Sequence, residues 1–277
     1  MMIPVPDKQA SDLLFSMYQG HQKLIAARAS TAIGAFWSSV IDPEHFSDSW
    51  TRLAPIIQGI IDTHYQMSAA DASNYYGLSR AVAGRYGSPI PGSPLGIGYL
   101  ERLADKVGRV AFYQYVDSGK SASTASDMTR RGLMGASMRV VLNGGRNTVT
   151  NAAAGDRSAV GWERIVEDHP CSDCAMRAAS GGVRKERQFA FRAHDNCTCL
   201  ARVVFEGQPG SNQALASEWA RATSGKNGKD AIAAWNKYWS ERNGSTGNSD
   251  GGDQAQTETT GEGSGDAAVE DQQVQFA

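Results

Sequence analysis

The chain has 277 residues, of which 41% are hydrophobic and 20% are charged, so it is long enough for one large or two modest domains with an apolar core. Its formal net charge of −2 is unevenly distributed, because residues 244–277 contain seven acidic side chains and no lysine or arginine. Removing those seven from the 29 acidic residues leaves 22 against 27 basic ones, near +5 for the remainder. This mildly basic balance permits contact with nucleic acid or an acidic protein surface and requires neither.

Targeting and membrane segments are not expected from the sequence. The first fifteen residues lack a basic start, an apolar run and a small-residue cleavage site, so no secretory signal is predicted. No run of ~18 uninterrupted apolar residues occurs, and we expect no membrane partner. Folding in a reducing intracellular compartment follows, where a tight cysteine cluster indicates a metal site before it indicates disulfides.

Residues 8–88 are predicted to form an N-terminal helical hairpin region. Ser11-Asp12 offers an N-cap, and apolar residues then recur at three- and four-residue steps until Asp42-Pro43 ends the first helix. A second helix is predicted to start at Ser47-Asp48 and to continue to about residue 86. Pro55 falls inside its pattern, which predicts a kink or a later start.

The prolines and glycines between residues 87 and 97 indicate a boundary before a second helical region, 97–158. Within it we predict helices over about 99–117 and 122–142. A shorter helix is predicted after Gly144-Gly145, ending by Gly155.

The composition changes after residue 158. Residues 159–207 contain two segments with the pattern of short strands, 160–168 and 201–206, on either side of the cysteines. Amphipathic helices are predicted over 211–242, followed by a disordered acidic tail at 243–277. These patterns predict a mainly α protein (α+β) with a small β-flanked Cys/His unit.

All four cysteines lie within 29 residues, in the pattern Cys171-x-x-Cys174 followed by His194-x-x-Cys197-x-Cys199. Tetrahedral Zn²⁺ needs four converging thiolate or imidazole ligands, and two close pairs joined by a loop supply them most simply. The second half offers three candidates for two places.

Four interpretations of the cysteine cluster are open. The favoured one is a structural zinc site built from Cys171, Cys174, Cys197 and either His194 or Cys199. The others are two disulfides, unpaired buried thiols, and a nucleophilic pair in which His194 activates Cys171 or Cys174.

Basic residues surround the second half of the cluster, and some of them are candidates for weak nucleic-acid binding. A basic loop beside a zinc knuckle can hold phosphate groups without sequence preference. The alternative interpretation is a loop that is simply solvated. The candidate residues are Arg184, Lys185, Arg187 and Arg192.

The cysteine pattern resembles the terminal motif of phage Mu F-like minor head proteins, in particular the actinobacteriophage branch often labelled capsid maturation protease. Cys171-Ser-Asp-Cys174-Ala175-Met176 and Trp162-x-Arg164-Ile165 fit that branch, as does Asn143-Gly-Gly-Arg146 before the knuckle. The resemblance is motif-specific over residues 160–206.

This resemblance implies a minor capsid protein of the virion, made in the host cytoplasm and associated with the capsid interior or portal region. Its partners would be the portal, the major capsid or scaffold protein and, non-specifically, packaged DNA, and its role would be head assembly or DNA delivery. The matching metal-ligand positions would be Cys171, Cys174, His194, Cys197 and Cys199.

The sequence contains no recognisable catalytic motif that would indicate an enzyme. The sequence contains no Gly-x-Ser-x-Gly elbow and no His-Glu-x-x-His pair, and a thiolate-rich zinc site is usually structural. We therefore favour a non-enzymatic role. The alternatives are a capsid maturation protease that uses Cys171 and His194, and a nucleic-acid-binding protein.

Overall fold

The structure is a computed structural model that describes residues 7–88, 90–185, 191–208 and 210–244. These residues form mostly α-helices and one two-stranded sheet, which confirms the predicted fold class. From residue 245 onward, the predicted acidic tail lies outside the described residues.

The N-terminal hairpin consists of α1 (Lys8–Val40) and α2 (Phe46–Val82). The predicted cap at Ser11-Asp12 is wrong, because the Asp7 carboxylate accepts hydrogen bonds from two backbone N–H groups of the first turn and starts α1 earlier. α2 begins well before Pro55 and continues through it, so the later start is also wrong.

Helix α5 (Ala122–Gly155) packs across both helices of the hairpin and is continuous. The predicted break around Gly144-Gly145 is therefore wrong. A Cβ on Gly144 would lie 2.5 Å from the backbone oxygen of Tyr65, and one on Gly145 would lie 2.5 Å from Oε1 of Gln22. The two glycines thus allow close contact between helices rather than ending one.

Residues 99–117 form α3 (Tyr99–Leu103), a π-helical segment (Ala104–Val110) and α4 (Ala111–Asp117). The π segment contains Gly108, where a Cβ would lie 2.1 Å from the Trp50 ring of α2. The widened helix and the missing side chain together seat this indole in the main core.

The sheet pairs β1 (Ala159–Ile165) with β2 (Leu200–Phe205) in antiparallel register, with a bulge between Ala159 and Gly161. Both strands were predicted, and they lie against α5. Their inner side chains and three of the four cysteines belong to the same core as the helical hairpin.

Helix α6 (Ser172–Gly181) carries Cys174 in its first turn and was not predicted. It packs against α7 (Gln213–Ala222) and α8 (Gly228–Gly244). A second, smaller core forms there, built on α6 alanines and on aromatic rings of α7 and α8. Its buried members are Ala175, Ala179, Trp235 and Trp239.

We expect two helical glycines to respond oppositely to alanine. Gly144→Ala should lower the free energy of unfolding by about 1–3 kcal/mol, because its methyl group meets a backbone oxygen. Gly59→Ala in α2 meets nothing within 4 Å and should raise it by about 0.5–1 kcal/mol. Urea unfolding followed by circular dichroism measures both, and a neutral or stabilising Gly144→Ala would contradict the close packing.

Candidate metal centre

The first half of the cluster is set by the start of α6. Cys171 is the N-cap residue of this helix, and its sulfur accepts a hydrogen bond from the backbone N–H of Cys174 at 3.4 Å. This cap turns both sulfurs to one side of the helix N-terminus. Cys171 is exposed there, whereas Cys174 is buried.

The second half is a tight turn that leads into β2. Asn196 has a positive φ of 61°, and the backbone N–H of Cys197 donates to the His194 carbonyl at 3.2 Å. The turn docks on α5 at Gly135, whose carbonyl accepts from the Asn196 N–H at 3.4 Å. It therefore presents the His194 ring and the Cys197 sulfur to α6 together.

The two halves converge to within metal-binding distance. Nε2 of His194 lies 3.0 Å from the Cys171 sulfur and 3.4 Å from the Cys174 sulfur, and the Cys174 and Cys197 sulfurs are 3.5 Å apart. Zinc bonds of about 2.0–2.3 Å at tetrahedral angles place ligand atoms about 3.5–3.8 Å apart.

The ligand candidates form two overlapping triads that share Cys174. One contains Cys171, Cys174 and His194, the other Cys174, Cys197 and Cys199, and the ligand atoms of each lie within 4.8 Å of one another. All four cysteines are free thiols. The structure therefore brings all five predicted positions together around the Cys174 sulfur.

The His194 ring is oriented for ligation through Nε2. Its Nδ1 lies 2.7 Å from the backbone oxygen of Asp195. A carbonyl oxygen accepts only, so Nδ1 carries a proton and Nε2 is the ring nitrogen that faces the sulfurs. The same pairing of ring N–H with a carbonyl is usual behind metal-bound histidines.

The thiols divide into two that ionise readily and two that do not. The Cys174 thiol donates to Cys171 and, helped by the backbone N–H bond, holds the Cys171 pKa at about 5. Hydrogen bonds from Cys174 and Cys199 also lower the pKa of Cys197.

The other two thiols keep their protons because their neighbours carry the charge. Hydrogen bonds to Cys171 and Cys197 raise the pKa of Cys174. Cys174 lowers the pKa of Cys199, but the Cys197 thiolate and burial outweigh this and raise it to about 11. The cluster therefore accumulates negative charge that a bound cation would neutralise.

Arg146 of α5 holds the backbone of the second half of the cluster through hydrogen bonds. Its side chain is fully buried, and its guanidinium donates to the backbone oxygens of Cys197 at 2.6 Å and Cys199 at 2.8 Å. Burial lowers its pKa to about 10, while the Cys197 thiolate favours the charged form. Among the described residues, its guanidinium donates to uncharged oxygens, with Asn143 at 2.9 Å among them, so the negative charge that favours its ionised form is that of the cysteine cluster.

A second buried guanidinium reaches the cluster from β1. Arg164 lies 4.0 Å from the Cys174 sulfur, donates to the backbone oxygen of Arg192 and stacks 3.8 Å from the centre of the Phe191 ring. Two buried cations therefore adjoin a set of cysteines, which is an environment that stabilises thiolates.

Helix α8 braces the backbone at the first cysteine. The indole N–H of Trp239 donates to the Pro170 oxygen at 3.1 Å, and that of Trp235 donates to the Ser172 oxygen at 3.0 Å. These bonds fix the chain on both sides of Cys171. The small aromatic core thus positions a ligand candidate as well as packing α6.

The predicted nucleic-acid residues occupy different surroundings. Lys185 donates to the backbone oxygens of Asp156 and Ala159, which engages its ammonium group with the chain itself. Arg184 and Arg192 line a pocket beside the cluster. Arg187 lies outside the described residues.

Sequence reasoning assigned no site role to Arg146 and Arg164. The available signal was an arginine in a segment without any other charged residue, at 140–149 for Arg146, and an arginine within the strand pattern for Arg164. Such a pattern indicates a buried cation but does not identify its partner.

The described fold and site define a mainly helical protein with a small two-stranded sheet and a Cys/His cluster of metal-binding geometry. A family profile described as VG15 protein matches residues 9–222, and the chain belongs to this family of viral (phage) gene products. No curated protein and no solved structure matches the chain.

Among the helices that the structure describes, none combines the length and apolar character that crossing a membrane requires.

We expect Arg146→Met to lower the free energy of unfolding by about 2–3 kcal/mol, because two buried carbonyls lose their donor. Arg131→Met, at an exposed position of the same helix, should change it by no more than about 0.5 kcal/mol. Chemical unfolding of both variants checks this. Equal effects of the two substitutions would show that the buried guanidinium does not hold the cysteine turn.

Proposed function

We propose that the chain is a Mu F-like minor capsid protein of a phage particle, associated with the portal and acting in head assembly or DNA delivery. Two findings support this: its membership in a phage protein family, and the resemblance of its cysteine region to the terminal motif of Mu F-like minor head proteins. The cysteine motif on which that resemblance rests forms a compact cluster.

Within this protein, we assign the cluster as a structural zinc site. The observation that carries the assignment is the convergence of four thiols and one imidazole from two separate segments. Thiolate and imidazole ligands at tetrahedral spacing favour zinc among the common divalent ions. Cys171, Cys174 and Cys197 would hold it, with His194 or Cys199 as the fourth ligand.

The zinc would stabilise a unit that is small by itself. A two-stranded sheet is marginally stable in water, and the chain between β1 and β2 is long. A zinc ion coordinated by the start of α6 and by the turn before β2 would cross-link the two ends of this connecting segment. The metal then supplies folding energy rather than chemistry.

One observation favours a second candidate, the capsid maturation protease. Cys171 is exposed, caps a helix N-terminus and lies 3.0 Å from Nε2 of His194, which is the arrangement of an activated thiol nucleophile. The neighbouring Cys174 lies almost as close to the same nitrogen at 3.4 Å. An imidazole shared between two sulfurs suits a metal ligand better than a general base.

Protein purified without chelators should contain about one zinc ion per chain by elemental mass spectrometry. Cys174→Ser should remove it, since this sulfur belongs to both triads. His169→Ala is the matched control for His194→Ala, because His169 is exposed and outside both triads. Chelation should lower the Tm of the wild type by about 10 °C.

Comparison of His194→Ala with Cys199→Ser identifies the fourth ligand, since only substitution of the true ligand should lower the zinc content per chain. Metal-free protein with an unchanged Tm on chelation would contradict the zinc site. Specific cleavage of coat or scaffold protein that Cys171→Ser abolishes and Cys197→Ser preserves would establish the protease instead.

The minor capsid role predicts that the chain is a component of finished particles, in few copies and in contact with the portal. Quantitative mass spectrometry of purified particles should detect it in numbers comparable to the portal subunit, and cross-linking should join the two proteins. A decoration protein would instead match the copy number of the major capsid protein. Absence of the chain from particles and their precursors would contradict the proposal.

A further inference from the structure

The five ligand atoms of the cluster divide into an outer and an inner set. The outer triad joins the exposed Cys171 and His194 to the buried Cys174. The inner triad joins Cys174 to Cys197 and Cys199, and all three of its residues are buried. One side of the cluster therefore opens to solvent, and the other side is enclosed by the protein.

The two triads meet only at the sulfur of Cys174. Among the described residues, no group of three ligand atoms within 4.8 Å of one another combines Cys171 or His194 with Cys197 or Cys199. Because Cys174 lies within that distance of all four, each outer atom must be more than 4.8 Å from each inner atom.

This separation bears on how many ions the cluster can hold. Any four of the five atoms include at least one pair from opposite triads. The ligands of a tetrahedral zinc ion lie about 3.5–3.8 Å apart, so a single zinc ion would have to draw the triads together. Without that movement, the cluster offers two positions with three ligands each.

Three soft ligands at one position suit Cu(I). This ion has a filled d shell and forms trigonal complexes with thiolate and imidazole ligands, whereas structural zinc is almost always four-coordinate. A thiolate sulfur can also bridge two metal ions. Cys174 lies where a bridge is needed, with its sulfur 3.4 Å from Nε2 of His194 on one side and 3.5 Å from the Cys197 sulfur on the other.

The charges around the cluster give an independent argument for monovalent ions. The thiols must be ionised to bind metal, and the four cysteines then carry four negative charges. Two of these are offset by buried guanidinium groups, those of Arg146 at the backbone of the cysteine turn and of Arg164 at 4.0 Å from the Cys174 sulfur. Two monovalent ions neutralise the other two. Two divalent ions would instead leave an excess of positive charge beside buried arginines.

We propose that the cluster binds two Cu(I) ions, one in each triad, bridged by the Cys174 thiolate. This proposal rests on the assignment of the cluster as a metal site and not on the capsid role. The pair of Cu(I) ions uses the same ligands as the structural zinc ion and replaces it. The outer ion is accessible from solvent through Cys171 and His194, and the inner ion is enclosed by three buried thiolates.

The test uses the full-length chain as purified, without oxygen, and supplies Cu(I) from a solution buffered by a copper chelator. Native mass spectrometry should find two copper ions per chain, and a zinc-sensitive dye should record one zinc ion released for every two copper ions bound. X-ray absorption should show three sulfur or nitrogen ligands at each copper ion and a second copper ion nearby.

Single substitutions separate the two positions. His194→Ala should lower the copper content from two ions to one by removing an outer ligand, and Cys199→Ser should do the same by removing an inner ligand. The ion left in His194→Ala is the enclosed one, so a competing chelator should remove it more slowly than the ion left in Cys199→Ser. His169→Ala is the matched control and should keep two copper ions.

Circular dichroism of each variant separates a lost ligand from a lost fold. One copper ion per chain in the wild type, or zinc retained under excess Cu(I), would overturn the proposal and leave the zinc assignment intact. Two copper ions in a chain that carries no zinc when purified would support the bridged pair and contradict the structural zinc site.

Discussion

The buried guanidinium of Arg146 is the interaction on which the C-terminal half of the structure depends. It leaves the middle of α5 and donates to the backbone oxygens of Cys197 and Cys199. A buried charge of this kind is costly unless opposite charge lies near it, and the cysteine thiolates are that charge. Through Arg146, helix α5 therefore positions the second half of the cluster and favours the ionised form of its thiols, which is the form that binds a metal.

The same constraint explains how a two-stranded sheet persists in a helical protein. The inner face of the sheet shares a core with the long helices. The chain that connects β1 to β2 is held near its start by the indole N–H groups of Trp235 and Trp239 and near its end by Arg146. The first half of the cluster thus contacts both cores, because Cys174 belongs to the main core while the indoles of the smaller core hold the backbone around Cys171. A metal bound by both halves would add coordination bonds to this packing.

Local patterns in the sequence were sufficient to predict both strands, the cysteine cluster and the presence of the long helices. What they missed depends on partners distant in the chain. Gly144 looks like a helix end until Tyr65 of α2 is placed against it. Helix α6 was missed because its N-cap is a cysteine, Cys171, rather than one of the usual polar residues. The role of Arg146 is set by carbonyl groups about fifty residues later, which no periodicity reveals.

The identity of the fourth ligand would set the charge that the metal centre presents to the two buried arginines. Both guanidinium groups adjoin the cluster, Arg146 through the backbone oxygen of Cys197 and Arg164 at 4.0 Å from the Cys174 sulfur. Around a zinc ion, four thiolates would leave two net negative charges, whereas three thiolates and the neutral imidazole of His194 would leave one. Completion by Cys199 would therefore balance both buried arginines, and completion by His194 would leave one positive charge in excess.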